Sequence, residues 1–279
     1  MNDTNREVAI PYLEPAAKFP ESLSVLAAIR ARTPARILVG RAGPSYRTAT
    51  QLELRRDHAA ALDAVHAEVD MERDLGIDLV RRFQLFEVRT RAASKEEYLL
   101  RPDLGRRLDD AARELIQKDC PVGCVLQAVI GDGLSAAAVA AQAPGLLPRL
   151  DAEARRRGWS FGRPFFIRHC RVGILNDIGD IVDPEIVVLL IGERPGLATA
   201  EGLSAYLAYR PRPGHTDAQR NLISNIHARG VGHDEAARRI IALAEQMRRR
   251  QMSGVAVKEE LASSTGETPV LPALSAKTI

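Results

Sequence analysis

Ile186-Val187-Val188-Leu189-Leu190-Ile191 is apolar at every position, and Cys124-Val125-Leu126-Gln127-Ala128-Val129-Ile130 is apolar at all but one. A strand with one wet face alternates, whereas a strand covered on both faces has no polar side to show. Both runs therefore read as buried strands of a parallel or mixed sheet, the later one spanning Glu185–Ile191. Working outward, Pro164–Val172 and Ser204–Tyr209 supply two further strands. An Ala-rich helix over Ser135–Ala141 and a second helix over Leu146–Arg157 stand between the first two strands, a β-α-β rhythm. A last helix, Asp234–Met252, begins with acids and ends with arginines, as the helix dipole favours. Ile240, Leu243, Ala244, Met247 and Gln251 give it a mostly apolar face.

Upstream the pattern is helical. Leu54, His58, Leu62, Val65 and Val69 fall on one stripe of a helix over Ser45–Asp70, which makes His58 a half-buried helix residue. Phe83–Arg89 reads as a short strand. Arg106–Gln117 reads as a helix carrying Leu108, Ala111, Ala112, Leu115 and Ile116 on one side. The chain divides into an extended arm over residues 1–20, a mainly helical region over 21–95, a Rossmann-like α/β domain over 96–252 and a mobile tail over 253–279. The arm rests on Pro11, Pro15 and Pro20, and the tail on its unperiodic Ser, Thr, Gly and Pro.

Composition excludes several classes. Among 279 residues aromatics are 4%, too few for a stacking surface for single-stranded nucleic acid. The 39 basic and 36 acidic residues leave a net charge of +3, and the arginine clusters 155–157, 238–239 and 248–250 lie on helices with apolar opposite faces, so nucleic acid is not expected. Met1–Phe19 lacks the charged, apolar and small-residue zones of a signal peptide. No run approaches the ~20 apolar residues that cross a bilayer. Cys120, Cys124 and Cys170 have no second Cys/His pair at zinc spacing, so they are expected as reduced, buried thiols, with no metal site.

Three segments put glycine and polar residues beside strands, where open α/β sheets bind ligands. Gly131-Asp132-Gly133-Leu134-Ser135 is either a phosphate-accepting turn or a plain strand–turn–helix junction, since the third glycine of a dinucleotide fingerprint is missing. In Gly192-Glu193-Arg194-Pro195-Gly196, Glu193 either accepts hydrogen bonds from a ligand or pairs internally with an arginine such as Arg194. Ser224-Asn225-Ile226-His227 reads as a polar loop serving a ligand, a partner or its own turn. Gly40-Arg41-Ala42-Gly43-Pro44 is a further glycine-and-arginine turn. No Ser/His/Asp triad, paired carboxylates or HExxH-type site is defensible from spacing, and no catalytic residue is assigned.

Taken in order, Gly40–Pro44, Leu100-Arg101-Pro102-Asp103-Leu104-Gly105-Arg106-Arg107, Gly131–Ser135, Pro164–Arg168, Gly192–Gly196 and Ile223–His227 form a series. The series resembles the small subunit of ethanolamine ammonia-lyase, from about Ala35 to Gly254. That resemblance implies an enzyme that converts ethanolamine to acetaldehyde and ammonia by radical chemistry, using adenosylcobalamin. It also implies a Rossmann-like cobalamin-binding domain that clamps the cofactor against a large catalytic subunit in a hetero-oligomer, the isolated chain being inactive. Cytoplasmic location follows, with packaging in a bacterial microcompartment as a further expectation.

The family's cofactor contacts fall on Val172, Glu193 and Leu222. The last is a departure, because the family pattern has cysteine there; leucine packs but offers no thiol hydrogen bond. Asn225–Gly230 differs by one residue from the Asp-x-His-x-x-Gly motif whose histidine ligates cobalt in other cobalamin proteins. The family keeps the cofactor's own base, so His227 is expected as a structural or contact residue, and Asn225 cannot supply the orienting carboxylate. Two other functions stand beside this one: a stand-alone Rossmann-like nucleotide-cofactor enzyme, and a structural subunit that binds no cofactor.

Overall fold

Strands β3 (Glu87–Arg89), β4 (Leu126–Gly131), β5 (Phe165–Arg168), β6 (Ile186–Gly192), β7 (Leu203–Tyr209) and β8 (Asn221–Ile226) form one mixed sheet in the order β3-β5-β4-β6-β7-β8. The structure, a computed structural model, describes residues 27–30, 39–196 and 199–259. The arm read over 1–20 and the tail beyond 259 lie outside these residues.

β3, β5, β4 and β6 run parallel, and β7 and β8 add antiparallel to the β6 side. Every residue of β4 and β6 is buried, which is why both runs carry no alternation. Alternate residues instead serve opposite layers. Leu126, Ala128, Ile130, Val188 and Leu190 pack beneath α5 (Ala136–Arg156) and α7 (His233–Arg250). Val129, Val187, Leu189 and Ile191 pack with α4 (Asp110–Asp119) and α6 (Leu175–Val182) on the other face. The fold is therefore mixed α/β with two helical layers.

Several elements differ from the sequence pattern. The two helices expected over Ser135–Ala141 and Leu146–Arg157 are one helix, α5, which passes through Pro144 and Pro148. A proline inside a helix costs about 3 kcal/mol. Here Val139, Ala143, Leu146, Leu147, Leu150 and Ala154 keep helical spacing across both prolines and are each completely buried. At about 1.5–3 kcal/mol for each large side chain, their burial outweighs the broken ladder. Ser224–His227, read as a loop, belongs largely to β8. A register shift between Leu203 and Ala205 sets the buried Ile223 and Ile226 three residues apart, so the two-residue period is lost.

In the N-terminal region the helix is α1 (Thr48–His66), and its apolar stripe is mostly not covered. Leu54 is half-buried, but His58 and Leu62 are exposed, while Ala64 and, past the helix end, Val69 are buried. Phe83 ends a helix, α2 (Ile77–Phe83), whose chain turns at Gln84 in the left-handed region before β3. The helix expected from Arg106 starts at Asp110, where the Asp109 carboxylate caps it by accepting the Ala112 N–H at 2.7 Å. The start of the segment read as a tail is held. Ser253 Oγ accepts from Tyr209 N at 3.0 Å, Asn221 Nδ2 donates to the Val257 carbonyl at 2.6 Å, and Val257 is buried.

Candidate functional site

Consecutive connections leave the neighbouring strands β4 and β5 toward opposite faces, through α5 and α6, and this opens a crevice beyond their carboxyl ends. A cavity of about 480 Å³ occupies it. Gly133 and Leu134 reach it from the end of β4, Cys170, Arg171 and Val172 from β5, and Gly192, Glu193 and Arg194 from β6. Ser204 and Tyr206 of β7 and Leu222 and Ser224 of β8 complete its far wall. Val172, Glu193 and Leu222, picked out at three separated places in the sequence, thus line the same cavity.

Glu193 follows the last residue of β6, and its N–H extends the β6–β7 ladder by donating to Gly202 O at 3.0 Å. Its carboxylate Oε1 accepts from the buried Ser204 hydroxyl and from Asn225 N at 3.4 Å. Those partners replace the internal pair with Arg194, which is exposed at the cavity rim. Burial raises the Tyr206 phenol above its ordinary value, and the nearby Glu193 charge adds to the effect. Leu222 stands across from Tyr206 in the β7–β8 register and is 46% exposed. Val172 is half-buried and begins a short helical turn, Val172–Ile174.

The glycine turns are explained by each other. Gly133 has φ +58°, and a Cβ there would lie 2.6 Å from Ile191 Cγ1 and nearer still to the Gly192 carbonyl. A Cβ on Gly192 would lie 2.6 Å from the Asp132 carbonyl. The Leu134 N–H donates to Gly192 O at 3.0 Å. Ser135 caps α5 by accepting the Ala138 N–H at 3.1 Å and donates its own proton to Ala200 O at 2.6 Å. Gly131–Ser135 is therefore a strand–turn–helix junction locked against Gly192–Gly196. Gly40–Pro44 forms an exposed hairpin of β1 (Arg41–Ala42) and β2 (Ser45–Tyr46) and does not line the cavity.

His227 is buried and both of its ring nitrogens are engaged. Nδ1 accepts the Arg229 N–H at 3.2 Å, so the proton sits on Nε2 and is donated to Asn225 Oδ1 at 2.7 Å. Burial first, and the neighbouring Arg229 second, push its pKa below 6.5. Asn225 holds this arrangement from the left-handed region, φ +61°.

Sequence reasoning missed Tyr98, Cys170, Ser204 and Tyr206, all of which line the cavity. Tyr98 comes from α3 (Lys95–Leu100), a helix too short to show a period. Arg171 was legible only as the neighbour of Val172. Among the described residues no group of three or more His, Cys, Asp or Glu is placed to hold a metal ion.

Residues 24–258 match the family model of the ethanolamine ammonia-lyase light chain. The chain belongs to this family. The ethanolamine ammonia-lyase small subunit of Clostridium perfringens is 40% identical over 82% of this chain and 76% of its own length. That of Listeria monocytogenes is 42% identical over 81% of this chain and 75% of its own. That of Bradyrhizobium diazoefficiens is 44% identical over 84% and 90%. As a light-chain family member the protein is a lyase subunit, and the cavity at the strand ends lies wholly within the matched residues.

Proposed function

We propose that the cavity binds adenosylcobalamin and that the chain closes the cofactor against the large subunit of an ethanolamine ammonia-lyase hetero-oligomer. The observation that carries this reading is the convergence of Val172, Glu193 and Leu222 on one cavity at the strand ends. The lining fits a broad, amide-fringed corrinoid. Val172, Leu222 and Tyr206 offer apolar surface, and Glu193 offers a carboxylate to amide N–H groups. When bound, adenosylcobalamin supplies a 5′-deoxyadenosyl radical by homolysis of its cobalt–carbon bond, for conversion of ethanolamine to acetaldehyde and ammonia.

This chain's own residues bind, orient and keep out water. Glu193, steadied by Ser204 and Asn225, accepts hydrogen bonds, and Val172 and Leu222 cover apolar surface. His227 stays with Asn225 and Arg229, which supports a cofactor that keeps its own base. The sheet in this reading is the Rossmann-like unit of a domain over 96–252, joined at its edge by β3 from the mainly helical region over 21–95. The cytoplasm is the proposed site of action, with packaging in a bacterial microcompartment. No helix among the described residues is long and apolar enough to cross a membrane.

The test is reconstitution with the large subunit, followed by titration of adenosylcobalamin into wild type and Glu193→Ala. Loss of hydrogen bonds to a charged group costs about 1.5–3 kcal/mol, or about 10- to 150-fold in affinity. Equal affinity, or full turnover by the small subunit alone, refutes the proposal. Nitrogen coupling between cobalt and a labelled protein histidine would refute the role given to His227.

A further inference from the structure

Val172 owes its place to residues behind it. After β5 the chain passes through His169, in the left-handed region at φ +58°, then Cys170 and Arg171, before the turn that Val172 starts. Each residue of this run is held from another segment. The completely buried Asp132 carboxylate accepts the His169 N–H at 2.9 Å and the Cys170 N–H at 2.8 Å. The Tyr98 hydroxyl donates to the Cys170 carbonyl at 2.9 Å, and the Arg171 N–H donates to the Gly105 carbonyl at 2.8 Å.

Tyr98 is itself fixed on several sides. It is completely buried, the Arg171 guanidinium lies 4.2 Å from its ring centroid, and the His169 ring stacks at 5.7 Å. Lys95, on the same helix, is 5% exposed and places Nζ 5.2 Å from the Tyr98 centroid and 3.9 Å from Asp132 Oδ2. Gly105 has no room for a side chain, since a Cβ would lie 2.8 Å from the His169 carbonyl and 3.0 Å from Tyr98 Cδ2. The segment around residues 98–105, which meets the cavity only through Tyr98, is thus fitted onto the strand exit that carries Val172.

We propose that Tyr98 is a positioning residue for the cofactor cavity: with Asp132 behind and Gly105 alongside, its hydroxyl sets the place of the Cys170–Val172 wall. The inference rests on the reading of that cavity as the adenosylcobalamin site. Without the hydroxyl, the Cys170 carbonyl loses its only side-chain donor among the described residues, and the wall is free to shift toward or away from the ligand. Burial keeps the Tyr98 phenol protonated far beyond its ordinary range, so it donates at every working pH.

The experiment uses the complex with the large subunit and compares wild type, Tyr98→Phe, Lys95→Met and Glu193→Ala for cofactor KM, kcat and melting temperature. One neutral hydrogen bond is worth about 1 kcal/mol, so Tyr98→Phe is expected to raise the cofactor KM about 5-fold, with kcat retained at saturation and no dependence on pH. Lys95→Met takes the counter-charge from Asp132 and leaves the Tyr98 hydroxyl in place; it is expected to raise KM in the same sense. A raised KM for Glu193→Ala with an unchanged KM for Tyr98→Phe overturns the inference and leaves the cavity reading standing. Unchanged KM in both refutes the cavity reading and the inference with it. A lower melting temperature with unchanged KM gives Tyr98 a role in folding only and equally overturns the proposal. If Tyr98→Phe fails to assemble, an unchanged KM for Lys95→Met overturns it.

Discussion

Gly192→Ala tests whether the two glycine turns fit one another as closely as the fold requires. A methyl at 192 would sit 2.6 Å from the Asp132 carbonyl oxygen and nearer still to that of Ser135. Carbon and oxygen make contact at about 3.3 Å, so the β6 end and the β4–α5 turn must part by about an ångström. Both atoms met are backbone, and Asp132, Ser135 and Gly192 are all buried, so no flexible side chain can give way. Overpacking of this kind costs about 1–3 kcal/mol, and in a protein of this size about 2 kcal/mol lowers the melting temperature by about 4–8 °C. Gly202→Ala is the control on the same side of the cavity, because its Cβ would meet only Glu193 Oε2, at an ordinary 3.6 Å. Urea and thermal unfolding of the two full-length variants decide the matter. If Gly192→Ala is as stable as Gly202→Ala, the interlocking of the turns is not a requirement of the fold.

His215, His227 and His233 each have a pKa lowered from 6.5, in every case chiefly by burial, with Arg212, Arg229 and Arg149 as second causes respectively. Between 6.5 and their lower folded values the unfolded chain binds more protons, so stability present above 6.5 is lost as the pH falls below it. The urea midpoint is expected to be lower at about pH 5.5 than at about pH 7.5, and an equal or higher midpoint at the acid value refutes this. The thiols of Cys120 and Cys124 are pushed up by burial to about 12 and about 11, and Cys170 is raised well above its usual value for the same reason. A disulfide reagent at mildly alkaline pH is expected to leave all three unmodified in the folded protein and to titrate them in denaturant; fast reaction of the native chain would contradict it.

The parts of the fold that were legible are those whose neighbours impose a one-dimensional pattern. β4 and β6 lie between two helical layers, so they have no polar side, and α7 buries Ile240, Leu243, Ala244 and Met247 at helical spacing while ending in arginines. Pattern fails where a long-range contact overrides a local rule. Pro144 and Pro148 mark a break that the burial of α5 overrules, and the shift opposite Leu203 and Ala205 erases the alternation of β8. α1 fails in the other direction: it has a stripe, but Leu62 on it remains 54% exposed, so periodicity alone did not say what covers it.

The site divides in the same way. Glu193 was legible from the residues themselves, as a carboxylate at the end of a buried strand. Val172 and Leu222 came only from the resemblance; Asp132 was legible only as part of the Gly131–Ser135 turn and Tyr98 not at all, because their partners at Cys170 lie 38 and 72 residues away. Leu222 shows why such a position is open to change. Its side chain is 46% exposed on the outer strand of the sheet, so the fold gains little from it, and replacing cysteine by leucine there leaves the buried Ile223 and Ile226 untouched. Whatever selects the residue at 222 must lie on the open side of the cavity. In the proposed reading a thiol-specific contact would be lost there, whereas a contact through shape would survive, because leucine presents the larger apolar surface toward the same opening.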